Sequence, residues 1–313
     1  MTVRVNVSAG FGEVESSGKG WLNLARECEA IGYEHLYVAD HLGGTGTAPF
    51  TAMASAAAVT ERLRVGTYVL NNDFRHPVMV ANEAAAIADL SHGRITLGLG
   101  AGHMKSEYDA AGIMFDRAGV RVSRVTESAE LIAALLSGEA VTHEGSHYSV
   151  HEHAIRAPGS SPVRLLIGGN GTRVLQAAGR IADVVGFTGF TPSADGSDSN
   201  ISHFTEVGLA ERITVARTGA GDRWPLPIDL LIQVVVITDR AEVEADRFAT
   251  RFKLPIEVVT SSPFVLIGSA ATVSNRLIEL HERFGVTSVT VFGHRRGSDN
   301  VDHVMAPVIE QLS

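Results

Sequence analysis

The sequence of 313 residues holds a single cysteine, Cys28, so no disulfide can form within the chain. Cys28 falls in a predicted helix, Lys19–Ile31, where a lone thiol reads as a small core residue. No apolar run approaches the roughly 20 residues that cross a membrane. Met1–Asn6 lacks the basic start and apolar stretch of a secretory leader, so none is expected. Basic runs are missing as well. With 26 Lys and Arg against 35 Asp and Glu, the formal net charge is −9. The chain therefore lacks the electrostatic footprint of a nucleic-acid binder. These absences leave a soluble, cytoplasmic protein with a small-molecule partner as the expectation, with no nucleic acid and no membrane involved.

Two catalytic signatures are also missing. The first predicted strand, Val3–Val7, carries no His-x-His pair of the kind that metal-dependent barrel hydrolases use, and no Gly-x-Ser-x-Gly nucleophile elbow occurs. His143, His147, His151 and His153 are suggestively spaced. They fall on a hairpin-like excursion without an acidic or cysteine partner in a matched pattern, and no metal site is predicted there.

What is present is glycine and apolar bulk: 32 glycines without a fixed period and 45% hydrophobic residues, enough for a large core. The centre is Arg94-Ile-Thr-Leu-Gly-Leu-Gly-Ala-Gly-His103. Ile95, Leu97 and Leu99 alternate with Thr96, Gly98 and Gly100, the period of a strand with one bulky and one bare face. The bare face predicts a close approach by something large. A polar loop with His103, Lys105, Ser106, Glu107 and Tyr108 follows. Upstream, Arg62–Leu70 reads as another strand, and His76-Pro77 opens a helix, Val78–Leu90, that stops at Gly93. The result is a βαβ unit with its chemistry on one rim.

The same alternation continues in both directions. Strands are predicted at Val3–Val7, His35–Ala39, Arg62–Leu70, Ile95–Leu99, Val163–Ile167, Ala182–Phe187, Leu226–Ile237 and Val286–Phe292, with helices between them. Eight such units predict an α/β fold, a (β/α)8 TIM-type barrel with insertions, as one domain over 1–313. An open doubly wound sheet is the alternative; the absence of a Gly-x-Gly-x-x-Gly turn after the first strand argues against it. The polar stretch Thr188–Ser202 reads as a mobile lid or a disordered loop.

Barrel chemistry sits at the C-terminal ends of the strands. There the sequence places Asp40 and His41, Tyr68 to Asp73, His103 to Glu107, Gly168 to Gly171, Phe187 and His294. Gly168-Gly-Asn-Gly171 before a helix is a turn whose N–H groups could face a phosphate.

These motifs together resemble the bacterial-luciferase-like superfamily and, within it, the coenzyme F420-dependent oxidoreductases. The resemblance rests on Val38-Ala-Asp-His-Leu42, Arg62–Pro77, Leu90–Gly102, Glu107-Tyr-Asp-Ala-Ala-Gly112 and Leu165-Leu-Ile-Gly-Gly169, spread over the first 190 residues. It implies a deazaflavin ring over the C-terminal rim, with FMN as the alternative cofactor. It puts Asp40 beside the ring's polar edge and a non-proline cis peptide near Tyr68–Val69 behind the ring. It puts the phosphate arm near Gly168 and Gly169. Further cofactor contacts are expected at Thr67, Asn71, Gly100, Gly102, Ser106 and Asn170.

His41 stands where the family's sugar-phosphate dehydrogenase has a histidine that assists proton transfer. That enzyme has a glutamate in the loop after strand four, where this chain has His103, which argues against a sugar-phosphate substrate. His41 and His103 are the acid/base candidates, because an imidazole titrates near ~6.5. The cofactor's anionic tail calls for Arg75 or another local cation to offset the acidic chain. The resemblance implies hydride transfer between the deazaflavin and a C=C, C=N or C=O bond of a small organic substrate, in a homodimer. An FMN-dependent monooxygenase and a non-catalytic flavin-binding relative are the other readings.

Overall fold

Alternation builds the inner layer. In β1 (Arg4–Ser8), Val5 and Val7 pack outward into the main core, while Asn6 faces in and bonds Asp229. The same division runs through β2 (His35–Val38), β3 (Arg64–Thr67, continued by Leu70–Asn71) and β4 (Ile95–Gly100). It continues through β5 (Arg164–Gly168), β6 (Val184–Thr188), β7 (Ile228–Ile232) and β8 (Val286–Phe292). The structure, a computed structural model, describes residues 3–9, 18–43, 48–156, 162–192, 199–200, 203–293 and 301–312.

Neighbouring strands are parallel, and β8 returns to β1 from Arg4↔Ser288 to Ser8↔Phe292, so the sheet closes. The architecture is the predicted eight-stranded α/β barrel.

Helices cover the outside because the strands' outward residues are apolar. Ile95, Leu97 and Leu99 are fully buried there. Each contributes roughly 1.5–3 kcal/mol by leaving water. The helix Pro77–Leu90 starts with proline in its first turn, and His76 Nδ1 accepts the Val78 N–H at 3.3 Å. Gly93, at φ 78°, lets the chain turn from that helix into β4. Among the described residues, no helix is long and apolar enough to cross a membrane.

Inside the barrel, Tyr37, Tyr68 and Leu166 form a small apolar cluster with Val69, Val184 and Leu231 against it. Toward the N-terminal end lies a polar chain. His35 Nδ1 meets Asn6 Oδ1 at 3.0 Å, and its Nε2 meets the Thr96 hydroxyl at 3.0 Å. Burial, then the charges of Arg64, Arg164 and Arg4, hold the His35 pKa well below its ordinary value. The ring is therefore neutral; Nδ1–H donates and Nε2 accepts. Asn6 Nδ2 donates to Asp229 at 2.8 Å, and the Ser288 and Thr290 hydroxyls donate to the same carboxylate at 2.5 and 2.8 Å. Burial pushes the Asp229 pKa up, and these donors pull against it.

Four features differ from the sequence reading. Strand three is not continuous: it breaks at a cis Tyr68–Val69 peptide. The predicted strand Leu226–Ile237 divides at Gln233, and Val234–Ile237 leaves the barrel to pair with Val265–Gly268, a strand inside what reads as a connection. The loop after β4 contains a helix, Lys105–Ala111. The helix that the sequence predicts to close the chain, Asn300–Leu312, divides into Val301–Val304 and Ala306–Leu312. His294 and residues 193–198 and 201–202 of the expected lid lie outside the described residues, as do 44–47 of the glycine-rich loop after β2.

Candidate active site

The break in β3 creates the floor of the site. At the cis peptide the ladder to β4 lapses, and the Thr67 hydroxyl fills the gap. It donates to the Gly98 carbonyl at 2.8 Å and accepts the Gly98 N–H at 2.9 Å. Thr67 is fully buried by this, so its side chain faces β4 and not the rim. The bulge then places Val69 in the barrel mouth, where the bare face of β4 receives it. A Cβ on Gly100 would collide with Val69 Cγ2, one on Gly98 would collide with the Thr67 carbonyl oxygen, and one on Gly168 would stand 3.1 Å from Val69 Cγ1. The large group that the glycines admit is the protein's own neighbouring strand. Tyr68 points below the floor, edge-on to Tyr37 at 5.3 Å.

Asp40 is locked as well. Its carboxylate accepts Arg75 Nη1 at 2.6 Å, Arg75 Nη2 at 3.2 Å and the Asn71 N–H at 3.0 Å, and its side chain has no exposed surface. Arg75 is thereby neutralised and is not the free cation anticipated from the sequence. Asn71 Oδ1 accepts the Tyr108 hydroxyl at 2.9 Å and the Asp73 N–H at 3.2 Å. Gly102, at φ 72°, passes so close to Tyr108 and Asn71 that any Cβ would strike them. Asp40, Asn71 and Gly102 therefore act as the frame that carries the site.

On that frame stand two histidines and a glutamate. His41 Nδ1 lies 2.9 Å from Glu107 Oε1, with 41% of the His41 side chain and 10% of the Glu107 side chain exposed. A carboxylate only accepts, so Nδ1 carries the proton and Nε2 is left for chemistry. Glu107 Oε2 is buried and has no hydrogen-bond partner among the described residues. His103 meets His41 edge-to-face at 6.0 Å. Its ring keeps an exposed side, yet burial of the rest, with His41 and Arg121 nearby, lowers its pKa. Both histidines thus converge, while Glu107 was not singled out for a role. Only the helical turn at Lys105–Ala111 swings it back to a residue 66 positions earlier. Ser106 is exposed on the same helix.

The fifth- and sixth-strand loops form the opposite bank. Gly169 packs against Val174, and a Cβ on Gly171 would meet nothing within 4 Å. Asn170 is turned inward: its Nδ2 donates to the Phe190 carbonyl at 2.6 Å, and its Oδ1 receives Arg212. Phe187 faces the outer core, beneath the Arg212 guanidinium at 5.7 Å.

Arg212 is the second residue that the sequence gives no reason to choose. It is buried and donates to the carbonyls of Gly208 at 3.0 Å, Thr188 at 2.7 Å and His203 at 2.7 Å, and among the described residues no carboxylate partners it. Burial brings its pKa down to about 10, so it remains charged at neutral pH. It is an uncompensated cation beneath the Gly168–Gly171 turn.

The His143 region does something else. Glu127 accepts the backbone N–H groups of Ser146, His147 and Tyr148 and lies 3.1 Å from His143 Nε2, clasping the hairpin to the helix Ala118–Leu135. A cavity of about 510 Å³ beside it, lined by Glu127, His143, Arg173 and Arg180 among others, does not include the His41 site. Among the described residues, no group of three or more His, Cys, Asp or Glu side chains is arranged to hold a metal ion.

A family model described as "Luciferase-like monooxygenase" matches residues 5–256. An F420-dependent glucose-6-phosphate dehydrogenase from Beutenbergia cavernae is 36% identical over 162 residues, 50% of this chain and 48% of that protein. The match thus spans about half the length of that curated relative. The protein of the same name from Kribbella flavida is 30% identical over 267 residues, 82% of this chain and 75% of its own. Among solved structures, an F420-dependent secondary alcohol dehydrogenase in complex with an F420-acetone adduct superposes with a TM-score of 0.77 at 18% identity, covering 100% of both chains. At that identity the likeness bears on the fold alone.

Proposed function

The chain belongs to the luciferase-like monooxygenase family, and from that premise we propose that it is a coenzyme F420-dependent oxidoreductase. The observation that carries the reading is the His41–Glu107 pair at the barrel's C-terminal rim, which leaves one imidazole nitrogen free beside an apolar floor. A bound deazaflavin supplies hydride chemistry toward a C=C, C=N or C=O bond of a small organic substrate. The residues present fit such a group. Val69 offers an apolar backing, Arg212 a buried cation without a carboxylate partner among the described residues, and Glu107 a buried oxygen without a hydrogen-bond partner among them.

The chain's own share is placement and proton management. His41 Nε2 holds or delivers the proton that accompanies hydride transfer, and Glu107, at 2.9 Å from Nδ1, fixes the ring's tautomer and orientation. His103, held below its ordinary pKa, acts beside it as a neutral hydrogen-bonding group at neutral pH. The Gly168–Gly171 turn and Arg212 bind the anionic arm. His103 in the loop after β4 speaks against a sugar-phosphate substrate and for a small carbonyl, imine or activated alkene.

We infer a homodimer of single-domain subunits over 1–313. The helix Pro77–Leu90 exposes Met79 at 56% and Leu90 at 70%, which supports an apolar contact there. The free, buried Cys28 agrees with a reducing, cytoplasmic setting.

Fluorescence titration with F420 and with FMN tests the assignment. Micromolar-range F420 binding is expected, about 7–8 kcal/mol, with distinctly weaker FMN binding. Tight FMN binding without F420 binding overturns it and promotes the second reading, an FMN-dependent monooxygenase, which the family's own description favours.

A further inference from the structure

Three strands of the barrel begin with the same residue. Arg4 opens β1, Arg64 opens β3 and Arg164 opens β5. Each follows a buried apolar residue (Val3, Leu63 or Val163) and precedes another (Val5, Val65 or Leu165). In a parallel barrel every strand starts at the same end, and alternate strands share a layer of inward side chains. Alternation puts these arginines on the inner face, two positions before Asn6, Gly66 and Leu166. The His35 ring feels all three charges. They converge on the N-terminal mouth, the end of the barrel away from His41.

Their charges are only partly matched. Arg4 Nη1 lies 3.3 Å from Glu34 Oε1. Arg64 Nη2 donates to the carbonyls of Gly93 and Ile95 at 3.0 and 3.1 Å, while its Nε is buried without a partner. Arg164 is exposed and makes no hydrogen bond or ion pair among the described residues. The carboxylate of Asp183 spends one oxygen on the Leu165 N–H at 2.8 Å and forms no ion pair with Arg164. Other charges acting on Arg64 come from Arg164 and Arg4, which repel it, and from Glu34. In a chain of net charge −9, three guanidinium groups gathered around one carboxylate are a local reversal of sign.

We propose that this mouth is a binding site for a small tetrahedral oxyanion of the phosphate class, held by Arg4, Arg64 and Arg164. Guanidinium forks donate in pairs to such an ion, and a dianion offsets the charge that Glu34 leaves. The unpartnered Arg64 Nε supplies one donor already desolvated, and Arg164 supplies a mobile fork at the solvent edge. A phosphate at this end is a barrel width from the reaction rim, so its binding is independent of the cofactor and of the activity proposed above.

Calorimetric titration of the full chain with inorganic phosphate, against sodium chloride at matched ionic strength, tests the site. Saturable binding to the unmodified chain is expected. Arg164→Gln, which breaks no bond in the fold, should weaken it at least tenfold, and Arg4→Gln should weaken it as well. Circular dichroism confirms that both variants are folded. Absence of saturable phosphate binding in the unmodified chain overturns the proposal. So does unchanged affinity in Arg164→Gln, which would place the ion on the Gly168–Gly171 bank.

Discussion

Thr67 and Gly98 are bonded in both directions, hydroxyl to carbonyl at 2.8 Å and N–H to hydroxyl at 2.9 Å. One side chain thus does the work of two backbone groups where β3 is interrupted. Thr67→Val keeps the shape and removes both bonds, stranding a buried N–H and a buried carbonyl. A loss of about 2–4 kcal/mol is expected, at roughly 1–2 kcal/mol for each group left unpaired. Thr67→Ser should keep most of the stability. Urea unfolding of the two variants measures the contrast; equal losses would show that the hydroxyl is not the stitch.

The glycines of the floor should differ in cost according to what stands above them. At Gly98 the obstacle is the Thr67 carbonyl, which cannot move without the strand; at Gly100 it is the Val69 side chain, which can turn. Gly98→Ala is expected to destabilise by about 3 kcal/mol, the upper end of overpacking, and Gly100→Ala by about 1 kcal/mol. Gly171→Ala, with open space and a φ of −77°, should be near neutral. Denaturant midpoints rank the three, and a Gly98→Ala variant as stable as Gly171→Ala refutes the close approach.

The acid/base pair is read from kinetics. His41→Ala should lower the chemical rate by roughly a hundredfold or more while cofactor affinity changes by only a few fold. Glu107→Gln keeps a hydrogen-bond acceptor for Nδ1 but removes the carboxylate that faces it. The rate should fall about tenfold, with cofactor affinity nearly unchanged. If His41→Ala turns over normally at saturation, His41 is not the proton donor.

Acid should loosen the fold through half-buried clasps of one kind. Burial pushes the Glu29 pKa up, but Oε1 accepts the N–H groups of Leu63, Arg62 and Glu61 at 2.9, 2.6 and 2.8 Å. These bonds, with the Arg62 charge, bring it below its ordinary value. Glu127 is lowered on similar grounds. A carboxylate with a depressed folded pKa contributes stability above its unfolded pKa and loses that contribution as pH falls through the folded one. The stability gap between the unmodified chain and Glu29→Gln should therefore be constant above about pH 5 and shrink below it. A gap that stays constant from pH 6 to pH 3 contradicts the linkage.

Much of this architecture was legible because it is periodic. Eight alternating strands, the proline start of the helix Pro77–Leu90 and the glycine after it are local signals, and the closed barrel follows from them. The site was legible in position but not in function. Asp40 and Asn71 sit at the rim as read, yet they spend their polar atoms on Arg75, Tyr108 and the backbone. Glu107 was hidden because a helix of seven residues without a side-chain cap leaves almost no trace in sequence. In the sequence Arg212 looks like one more polar residue of the helix Glu206–Ala220. Its burial depends on the carbonyls of Gly208 in its own helix, of His203 just before it and of Thr188 from β6, with the Asn170 oxygen. The Asn6–His35–Asp229 chain was in principle visible as polar residues at inward positions of their strands.

The unmatched charge of Arg212 sits inside a molecule whose net charge is −9. For an anion in solution the two act over different ranges. At low ionic strength the outer charge is felt first, across a Debye length of roughly 30 Å at 0.01 M salt, and slows encounter. Arg212, shielded from ions by the protein around it, acts only after arrival and governs how long the anion stays. Added salt should therefore speed capture of an anionic ligand at this rim while leaving its residence time nearly unchanged, the reverse of what a surface of lysines would do.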